Sequence, residues 1–222
     1  MDFMKLLKSF EDFIFEAATW LLFYPLTLWR IARHPQATMD YSDREQADDI
    51  EHRYDSALSP PLFLMVTIVI ANFIASAAHI PPPDATSSML KTITSSQQSL
   101  ILFRSLLFSL VPLIAASSLV RRQGKQLSRQ MLRAPFYAQC YLAAVCAAFT
   151  AVGDVFLRRS DLNNAIGWSI IAAGVLWFLA VQSLWFARKL GIGRGKAAVI
   201  AIWATVRAFA YLLIVLVPLA MI

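Results

Sequence analysis

The chain has 222 residues, of which 58% are apolar and only 15% are charged, and its mean hydropathy is +0.58. Soluble globular chains contain about 45–50% apolar and about 25% charged residues, so this composition excludes a soluble domain, a disordered or collagen-like chain and a disulfide framework. The formal net charge of +6 is unevenly distributed, because residues 1–56 contain eleven of the fourteen acidic residues but only six of the twenty basic ones. The sequence therefore divides into a water-facing cytoplasmic region, 1–59, and a basic, apolar membrane region, 60–222.

The first apolar run covers residues 13–29 and is amphipathic. Polar side chains recur three or four residues apart over most of the stretch from Lys5 to His34, which is typical of one face of a helix. We expect a helix that lies in the cytoplasmic membrane interface, is broken near Pro25 and offers an apolar face to lipid or to a partner. The candidate residues of that face are Phe10, Phe13, Trp20, Leu21 and Trp29. The alternative is a sixth spanning helix, which would bury Glu16 and place the N-terminus outside.

The next segment, residues 35–59, is polar and acidic and is helical in its middle. Mixed acidic and basic residues usually form a solvated helix face. The pattern therefore favours a linker helix, with a docking surface for a partner as the alternative.

Five further stretches reach the roughly 20 apolar residues that a helix needs to cross a bilayer core about 30 Å thick. The fold class predicted is all-α: a polytopic helical membrane bundle of five transmembrane helices plus the N-terminal amphipathic interfacial helix. The third stretch is rich in alanine and contains Gly153, which favours a central, closely packed helix. The five stretches are residues 61–80, 100–120, 135–157, 165–187 and 197–222.

Basic residues in the connections predict the orientation, because Lys and Arg concentrate on the cytoplasmic side. The connection from Arg121 to Arg133 and the one from Arg188 to Lys196 are the basic ones. We therefore expect a multi-pass protein of a bacterial inner (cytoplasmic) membrane, with the N-terminus cytoplasmic and the C-terminus on the far side.

Motifs for catalysis and for cofactor binding are missing from the sequence. It contains no H-E-x-x-H, C-x-x-C, G-x-S-x-G, Walker A or G-x-G-x-x-G pattern, and only His79 of its three histidines lies in a span, whereas a bis-histidine haem needs two. We predict no enzyme activity, no catalytic residue, no cofactor and no metal. Nucleic-acid binding is also not expected, because the basic residues flank membrane helices, where lipid headgroups are the natural anionic partner.

Ionisable residues within the spans need an explanation because each is costly there. Arg207 lies near the middle of the last helix, where it could snorkel, line a polar cavity, or pair with Asn72, Gln139 or Gln182. Arg104 and Asp154 fall at similar depth on antiparallel neighbours, so they could form an ion pair, whether structural or functional. The candidate intramembrane polar site comprises Arg207, Asp154, Arg104, Gln182, Asn72 and Gln139.

Two segments resemble a known family. The entry into the first span, Leu58-Ser59-Pro60-Pro61-Leu62-Phe63, and the stretch Tyr24-Pro25-Leu26-Thr27-Leu28-Trp29-Arg30 with Arg33-His34-Pro35 are similar to segments of the Yip superfamily and its permease-like bacterial relatives. The acidic N-terminal region followed by five spans fits the same layout. The resemblance implies a non-enzymatic membrane protein with protein or lipid partners.

Three functions are compatible with these features. The favoured one is a non-catalytic integral membrane protein that acts by association, as a Yip-like scaffold or an accessory subunit of a larger inner-membrane complex, with membrane lipids and other subunits or itself as partners. The alternative is a small transporter or channel for an anionic solute with Arg207 lining the path. A lipid-modifying enzyme is the third, for which only Asp154, Arg158, Arg159 and Asp161 approach the cluster required.

Overall fold

The computed structural model describes residues 3–47, 54, 56–80, 96–159 and 163–221. Its regular structure in these residues is entirely helical. The helices are α1 (Phe3–Arg33), α2 (Pro35–Glu45), α3 (Pro60–Ala77), α4 (Gln97–Arg122), α5 (Arg129–Arg158), α6 (Asn164–Leu190) and α7 (Arg194–Met221).

Helices α3 to α7 are each long and apolar enough to cross a membrane. The prediction of an all-α bundle with five spanning helices is therefore confirmed, and the chain is a multi-pass membrane protein. We call the end of the bundle at which α4 and α6 finish and α5 and α7 begin the basic end, because Arg122, Arg129, Arg188 and Arg194 lie there. The opposite end, at which α3 and α5 finish, is called the far end.

Local sequence signals account for the helix boundaries. Prolines occupy the first turn of α3, where a missing N–H costs nothing. Ser128 caps α5 by accepting a hydrogen bond from the Met131 N–H, and Asn163 caps α6 by accepting one from the Ala165 N–H. Gly191 ends α6 in the left-handed conformation, with φ of 63°, which glycine adopts without steric penalty.

Helix α5 lies at the centre of the bundle, as its small residues predict. It packs against α3, α4 and α6 and also touches α1 and α2. Its contact with α6 depends on glycine: a Cβ added to Gly167 would lie 2.8 Å from the Gly153 carbonyl oxygen, and one added to Gly174 would lie 2.4 Å from Phe149 Cβ. Such close approach increases the dispersion contacts that hold membrane helices together.

Helix α1 is continuous from Phe3 to Arg33 and contains Pro25 within it, so the expected break near Pro25 is wrong. Proline lacks one backbone donor, but its fixed φ is compatible with a helix. Contacts on either side of Pro25 hold the helix against the bundle. The Tyr24 hydroxyl donates to Thr67 Oγ1 at 3.2 Å, and Thr27 Oγ1 accepts from the Leu58 N–H at 3.2 Å. Helix α1 is not among the five helices apolar enough to span.

Helix α2 is bound to the basic end of the bundle by polar contacts. Arg188 donates to both carboxylate oxygens of Asp40, at 2.8 and 3.1 Å, and to Gln36 Oε1 at 2.8 Å. Lys189 forms an ion pair with Asp43 at 2.6 Å. Asp40 and Asp43 are therefore engaged by the protein's own bundle.

Tyr54 supports α2 from the segment that follows it. Its hydroxyl contacts Ser42 Oγ at 3.1 Å and accepts from Gln46 Nε2 at 2.9 Å. Burial raises the pKa of Tyr54 above its ordinary value, so ionisation of the phenol requires a more alkaline pH than that of an exposed tyrosine.

Substitution of Gly174 by Val tests the close contact between α5 and α6. We expect Gly174→Val to lower the free energy of unfolding by about 1–3 kcal/mol, because the new side chain overlaps Phe149 and forces the helices apart. Gly195→Val is the matched control, since nothing lies within 4 Å of a Cβ at that position. Thermal unfolding in detergent, followed by tryptophan fluorescence, measures both, and equal midpoints for the two variants would contradict the packing.

Candidate functional site

The six residues of the predicted intramembrane polar site fall into two separate groups. Asn72, Arg104 and Asp154 line one cavity near the far end. Gln139 and Gln182 are buried in the interior of the bundle and Arg207 is half-buried, and none of the three lines that cavity. The structure therefore does not bring the six residues into one site.

The far-end cavity has a volume of about 450 Å³ and lies among α3, α4 and α5, with Ile171 of α6 on one wall. Its polar lining comes from all three principal helices. On α3, Asn72 donates to the Ile68 carbonyl of its own helix at 2.8 Å and accepts from Arg104 Nη1 at 2.6 Å. The remaining walls are apolar and include Phe108, Ala147 and Ala151.

The expected ion pair between Arg104 and Asp154 is absent. Asp154 pairs instead with Arg158, one turn later on α5, at 3.0 Å. Among the described residues, the side chain of Arg104 forms a hydrogen bond with Asn72 alone. The reason is geometric: residues four apart on one helix are already neighbours, so Arg158 reaches the carboxylate without crossing the cavity.

Arg207 has a partner that the sequence did not suggest. Its Nη2 group donates to Ser118 Oγ on α4, while its Nε atom is buried without a hydrogen-bond partner. Ser118 lies only four residues before Arg122, about 6 Å from the end of α4 by the helical rise. The long Arg207 side chain therefore reaches toward the basic end, which combines snorkelling with pairing across the bundle.

Gln139 and Gln182 are fully buried and incompletely hydrogen-bonded. Neither side-chain polar atom of Gln139 has a partner, nor does Gln182 Nε2. Gln182 Oε1 accepts a long hydrogen bond from Thr205 Oγ1, at 3.4 Å. Unpaired polar atoms in a buried position are costly, so these two glutamines need an explanation beyond packing.

A second cavity, of about 340 Å³, opens at the basic end between α2, α4, α5 and α6. Asp43, Lys125 and Lys189 line it together with Trp185. The Lys189 ammonium lies 5.5 Å from the centre of the Trp185 ring, and the buried Trp185 Nε1 has no hydrogen-bond partner. Sequence reasoning missed this cavity, because Asp43 and Lys189 come together only when α2 packs against the C-terminal end of α6.

The predicted apolar face of α1 is largely exposed. Phe10, Phe13, Leu21 and Trp29 are 61%, 58%, 80% and 64% exposed. Trp20 differs from the prediction. It packs against the buried apolar core of the bundle and donates from Nε1 to Glu16 Oε2 at 3.2 Å. The C-terminal half of α1 thus has a second apolar side, which faces the bundle rather than lipid.

The described residues were also considered as metal ligands and as reactive thiols. They contain no group of three His, Cys, Asp or Glu side chains that could hold a metal ion. Cys140 and Cys146 are free thiols. Asp161, a member of the cluster considered for a lipid-modifying enzyme, lies outside the described residues.

Comparisons with protein-family models, with curated proteins and with solved structures find no match for this chain.

Replacement of Asn72 tests the polar contact that holds Arg104. We expect Asn72→Leu to lower the free energy of unfolding by about 1 kcal/mol, because a cation at the membrane boundary loses its hydrogen-bond acceptor. Thr150→Val is the control: Thr150 lines the same cavity but donates only to the Cys146 carbonyl of its own helix. An Asn72→Leu midpoint equal to that of the control would show that the contact contributes nothing.

Proposed function

We propose that this protein is a non-catalytic integral membrane protein that acts by association, as a Yip-like scaffold or an accessory subunit of a larger inner-membrane complex. The observation that carries the proposal is the N-terminal half of α1, where large apolar side chains stand exposed outside the five-helix bundle. Contiguous exposed apolar surface of this kind is typical of contact with a membrane or another protein.

The two halves of α1 support different tasks in this proposal. The C-terminal half packs on the bundle through Phe23, Tyr24, Leu28 and Ile31 and so fixes the helix in place. The N-terminal half continues away from these contacts, with Phe10 and Phe13 on its apolar side and Lys8 and Asp12 on its polar side. An amphipathic helix anchored at one end can lie in the membrane interface and present its apolar side to lipid or to a partner subunit.

The proposed location is the inner membrane of a bacterium, with the basic end in the cytoplasm. Arg and Lys residues of α4, α5, α6 and α7 gather at that end, as the positive-inside rule requires of a cytoplasmic face. This orientation places α2 in the cytoplasm and the C-terminus on the far side.

Mass measurement of the purified full chain tests association. In a mild detergent we expect the protein to carry an additional subunit or a second copy of itself, detected by native mass spectrometry. The double variant Phe10→Ser/Phe13→Ser should lose this additional mass, whereas Lys8→Ser/Asp12→Ser, on the polar side of the same turns, should keep it. A strict monomer without a bound protein partner in the unmodified chain would overturn the proposal.

A second candidate function is transport of an anionic solute with Arg207 lining the path. The observation in its favour is the set of unpaired buried atoms on Gln139, Gln182 and Arg207. Such groups would be satisfied by water or by a passing solute. By sequence position, Gln139 lies one helical turn from Pro135 and Gln182 one turn from Trp185, both of which line the basic-end cavity.

Flux measurements in proteoliposomes test this second function. We expect uptake of labelled phosphate or chloride to fall to the level of empty liposomes in Arg207→Leu, because the positive charge within the span is lost. Lys196→Leu, at the exposed start of α7, is the control for total charge and should retain uptake. Unchanged flux in an Arg207→Leu protein that unfolds at the normal temperature would remove Arg207 from the path.

A further inference from the structure

The far-end cavity combines a cation with apolar walls, and none of the contacts described above fills it. Asn72, Arg104, Asp154 and Arg158 form its polar side. Ile68, Phe108, Ala151 and Ile171 are among the apolar residues of its walls. A ligand that matches both parts has an anionic group attached to a hydrocarbon portion.

Helix positions locate the polar side at the boundary of the hydrocarbon core. Arg104 precedes Arg121 by seventeen residues on α4, about 26 Å by the helical rise. Asp154 follows Arg133 by twenty-one residues on α5, about 32 Å by the same rise. The hydrocarbon core is about 30 Å thick, so when the arginines of the basic end lie at one boundary, Arg104 and Asp154 lie close to the other.

The charges on the cavity wall favour an anion. The acidic residue in the described lining of the cavity is Asp154, and its charge is compensated by Arg158, which pairs with it at 3.0 Å. Arg104 then provides a cation whose hydrogen-bond partner, Asn72, is neutral. A guanidinium has several N–H donors arranged as a planar fork that matches phosphate oxygens, and the donors of Arg104 beyond the one bound to Asn72 have no acceptor among the described residues.

The shape of the cavity explains why its ligand would carry chains. The wall formed by α5 presents Ala147 and Ala151, whose small side chains leave room between α5 and the facing helices. Residues of this size on a span that faces α3 and α4 would normally permit close helix contact. Here they border about 450 Å³ of open space, which an acyl chain can occupy without burial of a polar group.

We propose that the far-end cavity binds a phosphate group, and that its source is the headgroup of a phospholipid in the leaflet at the far end. The Arg104 guanidinium holds the phosphate oxygens, Asn72 fixes the orientation of the guanidinium, and one acyl chain lies along Phe108 and Ile171. No described residue of α1 lines this cavity. The lipid site and the association proposed above can therefore be tested independently.

Native mass spectrometry of the full chain, stripped of lipid in detergent, tests the site. Three probes are added in turn: phosphatidylglycerol, a diacylglycerol with the same acyl chains, and inorganic phosphate. We expect phosphatidylglycerol to bind and the uncharged diacylglycerol to bind at least about tenfold more weakly, because the charge-assisted hydrogen bonds are missing. Inorganic phosphate that binds alone and displaces the lipid would support the phosphate site and assign the natural ligand to the soluble anion.

Variants assign the binding to Arg104. Arg104→Gln should weaken phosphatidylglycerol binding by about tenfold or more, and Arg104→Lys, which keeps the charge but loses the fork, should fall between it and the unmodified chain. Arg122→Gln removes an exposed arginine at the opposite end of α4 and should bind normally. Arg104→Lys also serves if Arg104→Gln does not fold.

Three results would overturn the proposal. The first is equal binding of phosphatidylglycerol and diacylglycerol, which would indicate purely apolar contact with lipid. The second is normal phospholipid binding by folded Arg104→Gln, or by folded Arg104→Lys where the glutamine variant fails to fold. The third is an equal loss in Arg122→Gln, which would show an effect of total charge or of the whole bundle rather than of this cavity.

Discussion

Hydrocarbon offers no hydrogen-bond partner, and this constraint governs both the backbone and the polar side chains of the protein. Helices α3 to α7 satisfy their backbone groups internally, as any spanning segment must. Hydroxyl side chains within the spans follow the same rule by donating to carbonyls one turn earlier, as Ser105, Thr150 and Ser183 do. Longer polar side chains instead reach another helix, as in the contacts of Arg104 with Asn72 and of Arg207 with Ser118. Gln139 and Gln182 depart from the rule, and for that reason they stand out as candidates for function.

The central helix, α5, serves two purposes with two of its faces. Toward α6 it presents Gly153 and Phe149, which meet Gly167 and Gly174 in close contact. Toward α3 and α4 it presents Ala147, Ala151 and Asp154, three or four residues apart, and these border the far-end cavity. The same class of small residue therefore produces tight packing where a partner helix is near and open volume where the partners diverge. The residue type alone does not decide between the two outcomes.

The opposite charges of the two halves of the sequence meet within the molecule. Asp40 and Asp43 on α2 bind Arg188 and Lys189 at the end of α6. Helix α2 is therefore held against the basic end of the bundle. Each exposed ion pair of this kind contributes little by itself, but here Arg188 is also bound by Gln36, and Gln36 Nε2 donates to the Val181 carbonyl at 2.7 Å. With α2 held in this way, the exposed half of α1 remains available for contact among the described residues of the N-terminal region.

The sequence by itself determined the class of protein, the five spans and the costly residues within them. These follow from composition and from apolar length, which depend on the solvent and not on which helices are neighbours. Pro25 and Trp20 were misjudged because their outcome depends on what lies beside α1, namely Thr67 and Leu58 on either side of the proline and the bundle core against the indole. Only the tertiary structure decided that Arg104 binds Asn72 rather than Asp154, that Arg207 binds Ser118, and that a cavity opens among α3, α4 and α5 at the far end. The physical reason is that depth along a helix can be counted from the sequence, whereas rotation about the helix axis and the spacing between helices are set by packing with every neighbour at once.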